Sequence, residues 1–598
     1  MSFPGAAVLF LALLFLASPL AAQECEGGRI TSVVVDNNSI FDLGEMEEDV
    51  SFRWLYSLMN TLHMDTNENF VRNELLFEEG DCLDPLALEE SERILRAYEF
   101  IARVEIFDEP AADGGRRVVV ETQDEWTTEL DVRLAFDEGF RLEGVELTEE
   151  NFLGRGMFTG FFFFERRERR DLGVFFETPR LFSTRWDARF SAGKTRVGNF
   201  FNQALVFPFV GEVGRVAARQ RYSYRESLFP YSIPESAGSP YSHVLVPFQE
   251  RDVELTLARR LGRPGNLTIF GVGFLRETLS FDEFPGDVEV SGRDGDFDET
   301  QPAGPAETAA VAGQVTNTTI SRVNLLFGQR NLRFVQRSDL DLMRGVQDVR
   351  LGTDVNLTVG RSLGDIASGG RDAPEDVYTR LRAFAGWEPG RWLLNADLNA
   401  EARNIFSGPA EGQGWRDILG EFDAYTYWRP TALPDHTLFG RFSASGGWST
   451  VRPFQLTLGG RTAVRGFSES DFPGNRRLVV SVEDRFYLGW PAPDLFDLGM
   501  TFFADAGKIW AGDVPYGETV PWQASLGAGL RLEFPSQSRN TLRIDLAVPV
   551  SGSDAFGSPI FRVTFLELLG VRPGFADEEI FRSRRPSVGA DLLTEEPR

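Results

Sequence analysis

From Trp126 onward, apolar and polar residues alternate with a period of two. In Leu394-Asn-Ala-Asp-Leu-Asn-Ala-Glu401, the apolar Leu394, Ala396, Leu398 and Ala400 interleave with Asn395, Asp397, Asn399 and Glu401. Residues 525–534 and 542–546 repeat the pattern, and Phe561, Val563 and Phe565 interleave with Arg562 and Thr564. Successive side chains of a strand point to opposite faces, so the alternation predicts strands with one apolar and one polar face. A soluble sandwich and a membrane barrel both satisfy it, and scale favours the barrel. The pattern recurs over residues 126–570, and several strands carry Asp, Asn, Arg and Glu on the second face. A sheet in lipid has no water for its edges and must close. At about 10 residues per strand plus loops, this length holds roughly 14 to 20 antiparallel strands.

Residues 28–123 follow a different rhythm, that of a compact α+β unit. Ile30-Thr-Ser-Val-Val-Val-Asp36 reads as a strand, with Asn37-Asn38 as its turn. Phe52, Leu55, Tyr56, Met59 and Leu62 fall at helical spacing and predict a helix over 52–63. Asp84-Pro85 opens a second helix, an N-cap followed by proline at the first helical position, with Ala87, Ile94, Leu95 and Tyr98 on its buried face. Strands over 102–107 and 116–122 complete a three-stranded sheet covered by two helices. Two segments fit no strand. Residues 281–318 are acidic, rich in Gly and Pro and poor in aliphatics, which predicts a long mobile outer loop. Residues 571–598 read as a polar tail without fixed structure.

Composition supports a mainly β chain. Among 598 residues there are 52 Phe and 59 Gly, residues suited to strands, lipid-facing rings and tight turns. Mean hydropathy is −0.20, too low for a bundle of membrane helices, whereas a barrel averages out because its two faces cancel. The net charge of −29 argues against nucleic acid as a partner, since phosphate binding needs a basic face. The first 22 residues form an apolar run ending in small residues, which resembles a secretory signal peptide cut after Ala22; its lack of Lys and Arg leaves an uncleaved anchor open. Only two cysteines occur, Cys25 and Cys82, a possible disulfide in an oxidising compartment. The residues Ala22-Gln23-Glu24 lack the small side chains a lipidation site at Cys25 needs.

One cluster of short motifs stands out. Val464-Arg465-Gly466-Phe467 lies late in the period-two region, followed by Ser481-Val-Glu483 and by Phe503-Ala-Asp505-Ala-Gly507. Asn151-Phe-Leu-Gly154-Arg-Gly156 and Phe176-Glu-Thr-Pro179 lie early in it. Together these resemble the superfamily of BamA- and TamA-type outer-membrane insertases and two-partner-secretion transporters, the bacterial surface antigen family. The resemblance implies a sixteen-stranded antiparallel transmembrane β-barrel with residues 28–123 as one POTRA domain in the periplasm. It further implies that the loop bearing Val464, Arg465, Gly466 and Phe467 folds into the lumen, where Arg465 docks on Glu483 and Asp505 of the inner wall beside Phe503 and Gly507.

The chemistry fits that expectation. Arginine is permanently charged and carries five planar donors, so it can hold two carboxylates at once. One such pair attracts by about 4 kcal/mol at an effective dielectric of 20, before desolvation and entropy reduce it. Gly466 is expected to let the loop turn sharply, Phe467 to pack its tip, and Gly507 to leave room for its approach. Whether the arginine only staples the loop or also opens as a gate, the sequence leaves open.

The function implied is a machine that inserts polypeptides into the bacterial outer membrane or passes them across it. Its partners would be outer-membrane lipid, an unfolded client chain, and periplasmic chaperones or lipoproteins. A passive porin-like channel for small solutes is the competing expectation, although it needs neither a POTRA domain nor an infolded motif. No enzyme, cofactor or metal is expected: the three histidines, His63, His243 and His436, accompany no Gly-x-Ser-x-Gly or His-Glu-x-x-His pattern.

Overall fold

The structure is a computed structural model. It describes residues 25, 27–40, 63–112, 114–135, 141–166, 169–282, 284–293, 297, 299–364, 375–407, 413–490, 496–534, 536, 541–552, 555–565 and 578–584. The leader at 1–22 and residues 52–62 of the helix expected over 52–63 lie outside the described residues.

The N-terminal unit runs β1 (Ile30–Asn38), α1 (Glu68–Glu74), α2 (Pro85–Arg96), β2 (Ile101–Pro110) and β3 (Arg116–Asp124). β3 is central, parallel to β1 and antiparallel to β2. Its β-branched run Val118-Val119-Val120 suits a strand paired on both sides. α2 begins where Asp84-Pro85 predicts, with the Asp84 carboxylate accepting from the Leu86 amide at 3.0 Å. Its Ile94 and Leu95 join Val33, Val35, Phe100, Val118 and Val120 in one core. α1 was not expected. Asn67 caps it by accepting from the Asn69 amide at 2.8 Å, but seven residues are too few to show a helical period. Cys25 and Cys82 are disulfide-bonded, with Cα atoms 5.2 Å apart, and so tie the chain ahead of β1 to the approach of α2.

Apart from a separate two-residue pairing of Leu456–Thr457 with Pro473–Gly474, the remaining strands form one continuous antiparallel sheet, with the last strand, Ile560–Phe565, paired to the first, Thr128–Ala135. Among the described residues the ring order contains twenty-two strands, two of which, Glu289–Gly292 and Thr300–Pro302, are short additions at one rim. Twenty therefore build the wall, not the sixteen that the resemblance implied. The difference is physical. The early strands are only 8 to 12 residues long and lie close together along the sequence, so six of them fit between Thr128 and Phe207.

Burial along the wall is inverted relative to a soluble sheet. Over residues 252–261 of the strand Tyr241–Arg263 the buried positions are Asp252, Glu254, Thr256, Ala258 and Arg260, while Leu255, Leu257 and Leu261 are exposed. Leu325, Val482, Phe502 and Leu526 are likewise exposed on neighbouring stretches. Buried charges are tolerated because they are paired: Arg322 with Asp376 at 2.8 Å, Arg219 with Glu254 at 2.9 Å, Arg403 with Asp417 at 2.8 Å. Among the described residues no helix is long and apolar enough to cross a membrane.

The segment expected to be a mobile loop at 281–318 is structured over most of its length. It holds the two short strands and the helix α3 (Pro305–Val311). Phe281, Val288, Val290 and Val311 pack with Phe229, Tyr231, Val244 and Val246 on the tips of the long hairpin Val216–Ser232 and Tyr241–Arg263. Its few aliphatics are scattered, so composition understates what a strand partner assembles. The expectation for 571–598 also changes. Within it, α4 (Glu578–Ser583) is a short helix with Ile580 fully buried, anchored by residues that composition alone counts as polar.

The N-terminal unit is fixed to one rim of the wall. Glu74 of α1 pairs with Arg180 at 2.7 Å, and Asn151 donates to Thr66 Oγ1 at 2.8 Å. A Cβ on Gly156 would meet the Phe70 ring at 2.6 Å. The Asn151–Gly156 motif is thus the seat of that unit.

The disulfide closes a loop of 57 residues, which in chain-entropy terms stabilises the N-terminal unit by about 2–4 kcal/mol. A double Cys25→Ser, Cys82→Ser variant is expected to lose that much in urea unfolding followed by proteolysis of this unit; an unchanged midpoint would contradict it.

Candidate functional site

The chain between the strands His436–Trp448 and Arg476–Tyr487 does not continue outward from the rim. It turns back against the buried face of the wall, pinned by a two-residue pairing of Leu456–Thr457 with Pro473–Gly474. Polar side chains hold its base. Arg452 bonds Glu277 at 2.5 Å and Glu250 at 2.6 Å, Gln455 accepts from the Ser232 amide at 2.7 Å, and His243 Nε2 lies 3.0 Å from Ser470 Oγ. The other nitrogen of His243 faces the Ser242 hydroxyl at 3.0 Å, where a hydrolytic triad would place a carboxylate.

At the loop's tip the guanidinium of Arg465 spans two strands. Its Nε and Nη2 donate to the two oxygens of Asp505, each at 2.7 Å, and its Nη1 donates to Glu483 Oε1 at 2.7 Å. Its backbone amide also donates to Asp505 at 3.3 Å. The Phe503 ring lies beneath the cation, 3.6 Å from Cζ to centroid. Asp505 and Phe503 share a strand two residues apart, which puts them on one face, and Glu483 is cross-strand from Phe503. Burial alone would push the Arg465 guanidinium down; the carboxylates of Asp505 and Glu483 overcome it and hold its pKa above the ordinary value.

The neighbouring motif residues pack around this clamp. Val464 is fully buried with Leu456, Leu458 and Phe467, and its amide donates to Leu458 O at 3.1 Å. Phe467 meets Phe472 edge-on at 5.3 Å. A Cβ on Gly507 would lie 2.9 Å from Val464 Cγ2 and 2.7 Å from Leu458 Cδ1, so that glycine does make room for the loop. Gly466 acts differently from expectation. It is not among the positive-φ residues, and what requires it is space, because a Cβ there would stand 2.5 Å from Ser525 Cβ.

Several participants carry no motif. Glu483 is fully buried and meets three more arginines, Arg485 at 2.9 Å, Arg543 at 3.2 Å and Arg531 at 3.6 Å. Arg485 continues to Asp341 at 2.8 Å, on a second segment folded in from the opposite rim. From the last strand, Arg562 donates to Arg465 O at 2.8 Å and to Phe467 O at 3.2 Å. The same Arg562 is in register with Ala135 of the first strand, one of two residue pairs that join the ends of the sheet among the described residues. Period-two spacing was the available signal: 483 and 485 share a face, as do 543 and 545. Away from this site, His63, Asp65 and Asp124 bring ligand-type atoms within 4.8 Å of one another, a trio no sequence spacing advertised. His63 Nε2 lies 2.9 Å from Asp124, which also accepts from the Thr66 amide at 2.7 Å.

Residues 433–564, which span the clamp and the last strands, match the Omp85 superfamily domain model. The chain carries an Omp85 superfamily domain. No curated protein matches the chain in sequence. Among solved structures it is similar to BamA from Haemophilus ducreyi lacking POTRA domains 1–3, at 13% identity over 90% of this chain and 85% of that one, TM-score 0.34. It is also similar to CdiB from Escherichia coli, at 13% identity over 92% of each chain, TM-score 0.42, and to CdiB from Acinetobacter baumannii, at 11% identity over 90% of this chain and 73% of that one, TM-score 0.38.

Within the Omp85 domain, the charge arithmetic ranks the two clamp acids. Asp505→Asn leaves Arg465 with Glu483, and with Asp545 at 3.8 Å. Glu483→Gln removes the carboxylate shared by four buried cations, a loss in the range of about 3–5 kcal/mol for a broken buried pair. Heat-induced unfolding in detergent is expected to fall further for Glu483→Gln than for Asp505→Asn, and the reverse order would contradict this ranking.

Proposed function

We propose that this protein inserts polypeptides into the bacterial outer membrane or passes them across it, as a binding and guiding machine and not an enzyme. In this reading the twenty-stranded sheet is a closed transmembrane barrel. Its exposed leucines, phenylalanines and valines face lipid, and its buried charges line the lumen into which the loop of residues 464–467 folds. A continuous exposed apolar band has no stable place in water, and a sheet with lipid on its outside must close. The N-terminal unit is read as a POTRA domain in the periplasm.

The observation that carries the proposal is Arg562. It stands on the last strand, beside the two-pair join to the first strand, and holds the Arg465 loop by two carbonyls. Opening that seam would therefore loosen the loop, and releasing the loop would weaken the seam. A seam that joins two residue pairs among the described residues leaves backbone donors and acceptors that an incoming strand can satisfy. β2 offers a second such edge, having no strand on its outer side among the described residues. Its client is an unfolded polypeptide, delivered with or without chaperones or lipoproteins. A porin-like channel is disfavoured by an interior occupied by the clamped loop, by the segment around Asp341 and by α4.

Depletion is expected to lower the amounts of client proteins in the outer-membrane proteome. Re-expression of the natural chain should restore them, and Arg562→Ala should restore less than half. Client levels that stay constant on depletion would contradict the proposal.

A further inference from the structure

α4 is placed where nothing in a twenty-stranded wall requires a helix. Its Glu579 accepts from the Thr457 amide at 3.1 Å and from Thr457 Oγ1 at 2.7 Å, and takes a third donor, Arg477 Nη1, at 2.9 Å. Ile580 is fully buried in the same cluster as Val464, Phe467, Leu456 and Phe454. Arg584, just past the helix, reaches the far side: its Nη2 donates to Glu421 at 3.1 Å and to Asn399 O at 3.0 Å, and its Nη1 lies 3.5 Å from Glu401. Arg582 lies over the Phe229 ring at 5.7 Å. One short segment thus bridges the inward loop, the strand Arg476–Tyr487 and the strands Trp392–Ile405 and Gly414–Trp428.

The receiving surface has the properties of a peptide site. It presents a cation, Arg477, and a backbone donor, the Thr457 amide, at one end, an apolar recess in the middle and two carboxylates, Glu401 and Glu421, at the other end. These complement an acid, an apolar residue and an arginine in that order. Arg477 of the wall thus faces the acid of the segment, and Glu401 and Glu421 of the wall face its arginine. The segment is also held by side chains and single carbonyls, with no strand ladder, so it can leave without breaking the wall.

We propose that this surface is a binding site for an amphipathic polypeptide segment, acidic then apolar then basic, and that α4 fills it as a resident ligand which a client segment displaces. The inference rests on the polypeptide-handling reading above for the identity of the displacing chain. The binding surface itself does not depend on that reading. While α4 is seated, Ile580 backs the Val464–Phe467 cluster and so helps keep the clamped loop inward; its departure exposes that cluster to the incoming chain.

The test uses the full chain purified in detergent and a fluorescent synthetic peptide spanning residues 576–586. The natural chain, with its site filled, is expected to bind the peptide at least tenfold more weakly than the Glu579→Arg variant, whose segment is repelled by Arg477. A peptide carrying the Ile580→Asp change should bind neither protein. Adding Arg477→Glu to Glu579→Arg restores the salt bridge in reverse and should return peptide affinity to the natural level. Trypsin supplies a second readout on the unmodified protein, where cleavage after Arg582 and Arg584 is expected to be slow until excess peptide is added. Equal peptide affinity for natural and Glu579→Arg chains, no reversal by Arg477→Glu, or immediate tryptic cleavage in the natural chain would each overturn the proposal. Peptide binding that behaves as expected, in a protein whose depletion leaves the outer-membrane proteome unchanged, would uphold the site and reject the polypeptide-handling reading alone.

Discussion

A carboxylate without water must find cations, and Glu483 is where this structure meets that demand. Fully buried, it gathers Arg465 from the inward loop and Arg485, Arg531 and Arg543 from three strands of the wall. One acid cannot neutralise four guanidiniums, so the cluster spreads outward to Asp505, Asp545 and Asp341. In surroundings of low dielectric, partly satisfied charge is costly and fully satisfied charge is rigid. The loop position therefore follows from electrostatic balance inside the sheet. Withdrawing Arg465 would strip Asp505 of the guanidinium that bonds both its oxygens and would also free the carbonyls held by Arg562.

The same network links places that are far apart in the chain. Arg96 of α2 pairs with Asp348 at 3.2 Å, and Asp348 follows shortly after the infolded segment that carries Asp341. Asp341 then meets Arg485, Arg485 meets Glu483, and Glu483 meets Arg465. The N-terminal unit, the rim, the inner face and the loop are in this way joined by consecutive ion pairs and a short stretch of backbone. A displacement at either end changes the charge balance of the next member, which is the kind of contact a gate needs if binding at the N-terminal unit is to reach the loop.

Much of this was legible from residue pattern. Period-two alternation marked the wall, Asp84-Pro85 marked the start of α2, and the order of Val464–Phe467, Glu483 and Asp505 pointed to residues that the fold brings together. What stayed hidden has physical causes. Strand number depends on how short the early strands are, and the short turn between Phe152 and Met157 gives a weak sequence signal. α1 is too brief for a period. The region 281–318 looked mobile because its order comes from pairing Val290 with Val244, a contact between distant strands. Arg562 and Arg543 carry no motif, since any wall arginine has the same alternation, and only the closing of the sheet brings them to the loop. Ile580 was lost in a charged stretch because one buried isoleucine among acids and arginines leaves no trace in composition.

The loop is held by the coupling of Arg465 to the acids it bonds, and a double-mutant cycle measures it directly. Arg465→Met, Asp505→Asn and the combined variant would be unfolded by heat in lipid vesicles, with the loss of folded protein followed by electrophoretic mobility. The structure predicts a coupling energy of about 1–3 kcal/mol between the two positions, as for groups in direct contact within one network. Strict additivity of the two single changes would contradict it.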